Sequence, residues 1–169
     1  GGVVQTRAML DQRIVWLLRE NAERLDLIRD WTHNDIPGCF SDLMRAAHEA
    51  TGQRVVVLVD EYDKPILDNI EHLERAAEVR EGLKNLYSTL KGQDAHIQLV
   101  FMTGVTKFSK VSLFSGLNQL NDLTLDGRFA TVCGYTQADL ETIFGAHLAG
   151  VDWARLKRWY NGYGFLGEP

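Results

Sequence analysis

The stretch VVVLVDEYDKP, residues 55–65, decides how the chain is read. Five apolar residues run without a break, and then two carboxylates, a tyrosine, a third carboxylate, a lysine and a proline follow. A strand with one wet face alternates polar and apolar residues, because successive side chains point to opposite faces. Val55–Val59 does not alternate, which predicts a strand buried on both faces, as in a parallel sheet covered by helices on each side. IQLVFMTG, residues 97–104, predicts a second strand of the same kind. Between them Val79, Leu83, Leu86, Tyr87 and Leu90 recur at helical spacing, a helix over 74–91 that Gly92 ends. Strand, long helix, strand is a βαβ pattern with a right-handed crossover.

The flanks extend this frame. Leu10, Ile14, Leu17, Leu18, Leu25 and Ile28 predict a helix from Arg7 to about Arg29. Residues 34–38 read as a loop in which Ile36-Pro37 fixes an extended entry. Ser41 caps a short helix that Thr51-Gly52 ends. FATVC, residues 129–133, predicts a third strand. Thr136 with Asp139 opens a capped helix through Leu148, and Asp152 opens a last one that Asn161-Gly162 stops. No repeat, low-complexity run or linker interrupts the chain, so residues 1–169 are read as one domain.

The chain's 169 residues suffice for a core, and a hydrophobic share of 45% with 24% charged residues is that of an ordinary soluble globular protein. The 18 basic residues are scattered and outnumbered by 23 acidic ones, so no nucleic-acid surface stands out. Cys39 and Cys133 form no CxxC pair, which points away from zinc or a disulfide framework and toward a reducing, cytoplasmic setting. The apolar runs are too short for a membrane span, and no signal peptide opens the chain. The absence of an initiator Met suggests a processed, engineered or partial chain.

The acidic end of the first strand carries the chemistry. Ligands of open parallel sheets bind beyond the carboxyl ends of the strands, where Asp60 and Glu61 fall. One carboxylate there can approach a magnesium ion while its neighbour faces a water, orienting or deprotonating it for attack on a phosphate. Apolar residues followed by Asp-Glu is the Walker B form. A plain strand exit is the competing reading: burying each Val or Leu gains about 1.5–3 kcal/mol and an unpaired buried carboxylate costs several, so any strand leaving a core turns polar somewhere. Thr103 closes the second strand with a small hydroxyl, where ATPases of the P-loop class often carry a polar sensor. A simple strand-to-loop turn at Thr103-Gly104 is the alternative.

VVVLVDEYDKPILD, FMTGVTKFSKVSLFSGLNQLNDLTLD, RFATVCGYTQADLE and WYNGYGFLGEP together resemble the bacterial AAA-ATPase-like family, from about Ile36 to the end. Its members often carry a restriction-endonuclease-like domain after the ATPase part. The resemblance implies a P-loop ATPase fold, with Asp60 as the Walker B magnesium ligand through water, Glu61 as the catalytic carboxylate and Thr103 at the sensor position. Asp63, Lys64 and Lys107 match family motif positions without an assigned role. Arg128 is read as a phosphate or subunit contact, or as a plain surface arginine.

One departure qualifies this. No segment fits GxxxxGK[ST], the loop that wraps phosphates with backbone N–H groups and a lysine. The resemblance places that loop upstream of residue 1 and any nuclease-like domain beyond residue 169. The chain is therefore read as a fragment holding the acidic half of an ATP site. ATP and Mg2+ are expected as ligands of the parent protein. Tight binding of either, or hydrolysis, is not expected of the 169 residues alone. The missing strand would leave one edge of residues 97–103 unpaired, which predicts dimerisation or rearrangement along that edge.

Other motifs carry less. GYGFLG, residues 162–167, matches GxGxxG but lacks the strand before and helix after that a dinucleotide site needs. Glu61 and Lys64 are one residue too far apart for a nuclease (D/E)xK motif. His33, His48, His72, His96 and His147 have no metal-ligand spacing. Cys39 and Cys133 read as small core residues. Trp153 and Trp159 do not share a helix face, and Trp159, Tyr160 and Tyr163 are expected to pack the last helix onto the sheet. Lys107, Lys110 and Arg128 make a small basic patch that does not establish nucleic-acid binding.

The expected architecture is thus α/β: part of a P-loop NTPase-like three-layer sandwich, with a mostly parallel sheet and helices on both faces. Two functions fit it. One is an ATPase module whose parent couples nucleotide to a conformational change, with output on nucleic acid through a downstream domain. The other is a non-hydrolysing interaction or scaffold module that keeps the fold and the acidic motif.

Overall fold

A computed structural model describes residues 4–27, 31, 35–105, 113 and 120–160. The chain divides into two compact units, residues 1–120 and 121–169.

The first unit opens with α1, Arg7–Arg24, capped by the Thr6 hydroxyl, which accepts from Met9 N at 3.2 Å. The helix stops short of the predicted Arg29. Asp26 takes a left-handed backbone (φ 54°), and the Asp26 and Leu27 N–H groups turn back to the Glu23 and Ala22 carbonyls at 3.1 and 2.8 Å. That double closure ends a helix as a C-terminal glycine would. Helix α2, Ile36–Thr51, begins where an extended loop was expected. Proline's fixed φ is compatible with a helix's first turn. Pro37 sits there, and Asp35 Oδ1 accepts from Gly38 N at 2.9 Å. Gly52, at φ 68°, closes α2 as predicted.

Strands β1, Val55–Val59, and β2, Ile97–Met102, pair in parallel from Val55↔Ile97 to Val59↔Met102. A short helix α3, Lys64–Leu67, the long helix α4, Leu73–Ser88, and one 3-10 turn, Thr89–Gly92, connect them. The predicted βαβ unit is present, and the expected stripe of Val79, Leu83, Leu86, Tyr87 and Leu90 is buried. These side chains meet Leu10, Ile14, Val15 and Leu18 of α1 and Phe40, Leu43 and Met44 of α2 in one core. Val55, Val57, Val59, Ile97, Val100 and Met102 close that core from the sheet side.

The other face of the sheet corrects the expectation that both faces are buried. Val56, Leu58, Leu99 and Phe101 stand 53%, 72%, 52% and 41% exposed. Among the described residues the sheet has two strands, with the helical core on one side. A bulge between Val55 and Val56 shifts the register, so Gln98 and Leu99 are both exposed while Ile97 and Val100 both turn inward. The architecture shown is mixed helix and strand around a small parallel sheet.

In the second unit the predicted strand 129–133 is absent. Asp126 organises a turn there: its side chain accepts from Arg128 N at 3.0 Å and its carbonyl from Phe129 N at 2.9 Å. Gly127–Phe129 forms a 3-10 turn, and no strand falls among the described residues of this unit. Helix α5, Gln137–Ile143, carries the predicted capping box, with Thr136 and Asp139 bonded reciprocally, and ends before the predicted Leu148. Helix α6, Trp153–Tyr160, starts at Asp152, whose Oδ1 accepts from Ala154 N and Arg155 N. Trp159 and Tyr160 are exposed, and Tyr163 lies outside the described residues. No described helix is long and apolar enough to cross a membrane.

Candidate functional site

The parallel ladder brings the ends of β1 and β2 together. Thr103 N donates to the Val59 carbonyl and Tyr62 N to the Thr103 carbonyl, each at 2.9 Å. These two bonds carry the pairing past both strands and hold residues 60–62 beside Thr103. The Thr103 hydroxyl then does two things. It donates to Asp60 Oδ1, and it accepts from the Glu61 backbone N–H at 3.2 Å. The hydroxyl is therefore directed from both sides, by a carboxylate and by an amide.

Asp60, Glu61 and Thr103 are all exposed at this carboxyl end of the sheet. Glu61 has a left-handed backbone, φ 52°. A non-glycine residue there is strained by about 1–2 kcal/mol, and such strain persists only where neighbours hold it. Here the neighbours are Thr103 Oγ1 on the Glu61 N–H and Lys64 N, which donates to the Glu61 carbonyl at 3.0 Å. The twist sends Glu61 out of line with β1, so the carboxylates of Asp60 and Glu61 do not continue the strand's simple alternation. Lys64 pairs with Asp68 at 2.8 Å, and that hydrogen bond, with the charges of Asp68 and Glu61, holds its ammonium above the usual lysine range.

Asp63 is different in kind. It is 1% exposed, and its two oxygens accept from Val105 N at 3.2 and 3.1 Å. Tyr62 and Tyr87 are buried nearby; burial first, then Tyr62 and Asp63, push the Tyr87 phenol upward. Gly104 lies flush on this layer. A Cβ at that position would fall 2.5 Å from Tyr62 Cε1 and 2.9 Å from Asp63 Oδ1. Sequence reading gave Asp63 no role, because its charge belongs to the same acidic run as the exposed pair. The one hint lay in Thr103-Gly104, a glycine where the backbone must approach closely.

Oxygen donors of this kind, an exposed carboxylate beside a hydroxyl, suit a hard cation such as Mg2+ that keeps several waters. Among the described residues no group of three His, Cys, Asp or Glu side chains converges to cage a metal. Asp60 and Thr103 supply part of the oxygen shell that such a cation takes.

Lys107, Lys110, His33 and the GYGFLG run lie outside the described residues. Arg128, in the second unit, is bound by Asp126 at 2.6 Å, and this hydrogen bond raises its basicity further. His48 and His96, unconnected in sequence, face each other with Nδ1 atoms 2.9 Å apart. Cys39 is buried, and desolvation leads the effects that push its thiol up; Cys133 is exposed, which corrects its reading as a core residue.

A family described as "Predicted AAA-ATPase" matches residues 2–114, which includes both strands, the acidic turn and Thr103. The chain belongs to this AAA-ATPase-like family. A relative from Azotobacter chroococcum mcd 1, named "Uncharacterized protein in vnfD 5'region", is 48% identical over 168 residues. That match covers 99% of this chain and 32% of the relative, so the chain spans about a third of the relative's length. No solved structure matches the chain.

Proposed function

We propose that the acidic turn is the Walker B half of an ATP site in a bacterial, cytoplasmic AAA-ATPase-like protein. In this reading Asp60 holds Mg2+ through water, Glu61 orients the water that attacks the terminal phosphate, and Thr103 senses the phosphate while directing Asp60. The observation that carries it is the Thr103 hydroxyl, which joins Asp60 and the Glu61 amide at the carboxyl ends of two parallel strands. Family membership supports the same reading. The sheet would then be part of a larger three-layer P-loop sandwich, with the phosphate-wrapping loop supplied outside these residues. Coupling to a nuclease-like domain acting on nucleic acid, and pairing of copies along the β2 edge, belong to this proposal at the level of the whole protein.

The test is ATP turnover by the full-length protein. Glu61→Gln should retain ATP·Mg2+ binding and lose about 10²–10⁴-fold in turnover, the usual contribution of a positioned general base. Turnover equal to wild type would remove Glu61 from catalysis. The exposed apolar face of Val56, Leu58, Leu99 and Phe101 favours the second reading, a non-hydrolysing interaction module, and that result would select it.

A further inference from the structure

The acidic run contains two carboxylates that meet solvent and one that does not, and the third is tied to the same loop from below. Thr103 ends β2, and two residues later Val105 N is gripped by both oxygens of Asp63. Gly104, between them, rests on Tyr62 and Asp63 with no room for a side chain. The ladder bonds at Thr103 N and Thr103 O and the carboxylate bonds at Val105 N hold the backbone on both sides of the Thr103 side chain, so its χ1 turns on a fixed frame and the hydroxyl keeps its reach to Asp60 and the Glu61 amide. A buried carboxylate accepting a backbone N–H is a strong, charge-assisted contact.

We propose that Asp63 is a positioning residue for the candidate cation site. By holding Gly104–Val105 it aims the Thr103 hydroxyl at Asp60 and at the Glu61 amide. The inference rests on the proposed role of Asp60 for its cation consequence, but its structural half stands apart from that role. Residues that orient metal ligands from behind typically change affinity by about 10–100-fold when removed. Asp63 would do so without touching cation or nucleotide.

The experiment uses the whole 169-residue chain and two NMR readouts. The first is hydrogen exchange of the Glu61 amide, which donates to Thr103 Oγ1. Asp63→Ala should speed that exchange about tenfold, the scale of one charge-assisted hydrogen bond. Asp63→Asn, whose amide oxygen still accepts from Val105, should restore most of the protection. Val105→Pro removes the N–H and leaves the buried carboxylate in place, so it tests the same link if Asp63→Ala fails to fold; it too should expose the Glu61 amide. Faster exchange of α4 core amides with Glu61 unchanged would mean that Asp63 serves stability alone, and would overturn the proposal. The second readout is Mn2+ broadening of the residue 60, 61 and 103 amides. Asp63→Ala should require about tenfold more Mn2+ for the same broadening, the lower end of an orienting contact. If wild type shows no broadening that depends on Asp60, the 169 residues alone do not hold the cation, as expected without the phosphate-wrapping loop, and the exchange data decide whether Asp63 positions Thr103.

Discussion

Asp60 and Asp63 stand three residues apart on one turn and do opposite things. Asp60 is exposed and meets a hydroxyl; Asp63 is 1% exposed and meets a backbone amide. A carboxylate in water keeps its hydration and can exchange partners. A buried one must be bonded, because stranding its charge costs several kcal/mol. The same residue type is thus available for chemistry at one position and committed to architecture at the other. Between them lies the left-handed Glu61, and Asp63 then stands at the start of α3 with both oxygens on Val105 N.

Stability should divide along that line. Asp63→Ala leaves Val105 N without its acceptor and is expected to cost about 1–3 kcal/mol, whereas the exposed Asp60→Ala should change stability by less than about 0.5 kcal/mol. Urea denaturation of both variants measures the contrast, and equal losses would erase it. A smaller effect of opposite sign is expected between them. Glu61→Gly relieves the left-handed backbone and should stabilise the fold by up to about 1 kcal/mol, after the entropy glycine adds to the unfolded chain. The full-length variant should nevertheless lose turnover, as expected of Glu61→Gln. A stability gain together with lost turnover would show strain retained for function; destabilisation would mean that the Glu61 side chain supports the turn.

Much of this was readable from the sequence where local rules act alone. The α4 stripe, the Gly52 stop, the Thr136–Asp139 box and the pairing of β1 with β2 follow from periodicity and capping. The meeting of Asp60 with Thr103 follows from strand ends in a parallel sheet. The misreadings arose where a neighbour decides. Five apolar residues in β1 do not say whether a second layer covers Val56 and Leu58, since that depends on what packs there. FATVC has strand-forming residues, but a strand needs a partner, and here the Asp126 carbonyl takes the Phe129 N–H into a 3-10 turn. Ile36-Pro37 reads as extended until Asp35 is recognised as the cap that makes proline the helix's first turn. Asp63 was opaque for a related reason: burial of a charge is a tertiary fact.

If Asp60, directed by Thr103, is the cation ligand of a nucleotide site, the Mg2+ dependence of ATP turnover must change in full-length protein carrying Asp60→Asn. Half-maximal turnover should then require about 10–100-fold more Mg2+, with a smaller shift in the same direction for Thr103→Val. An unchanged Mg2+ requirement in Asp60→Asn would contradict it.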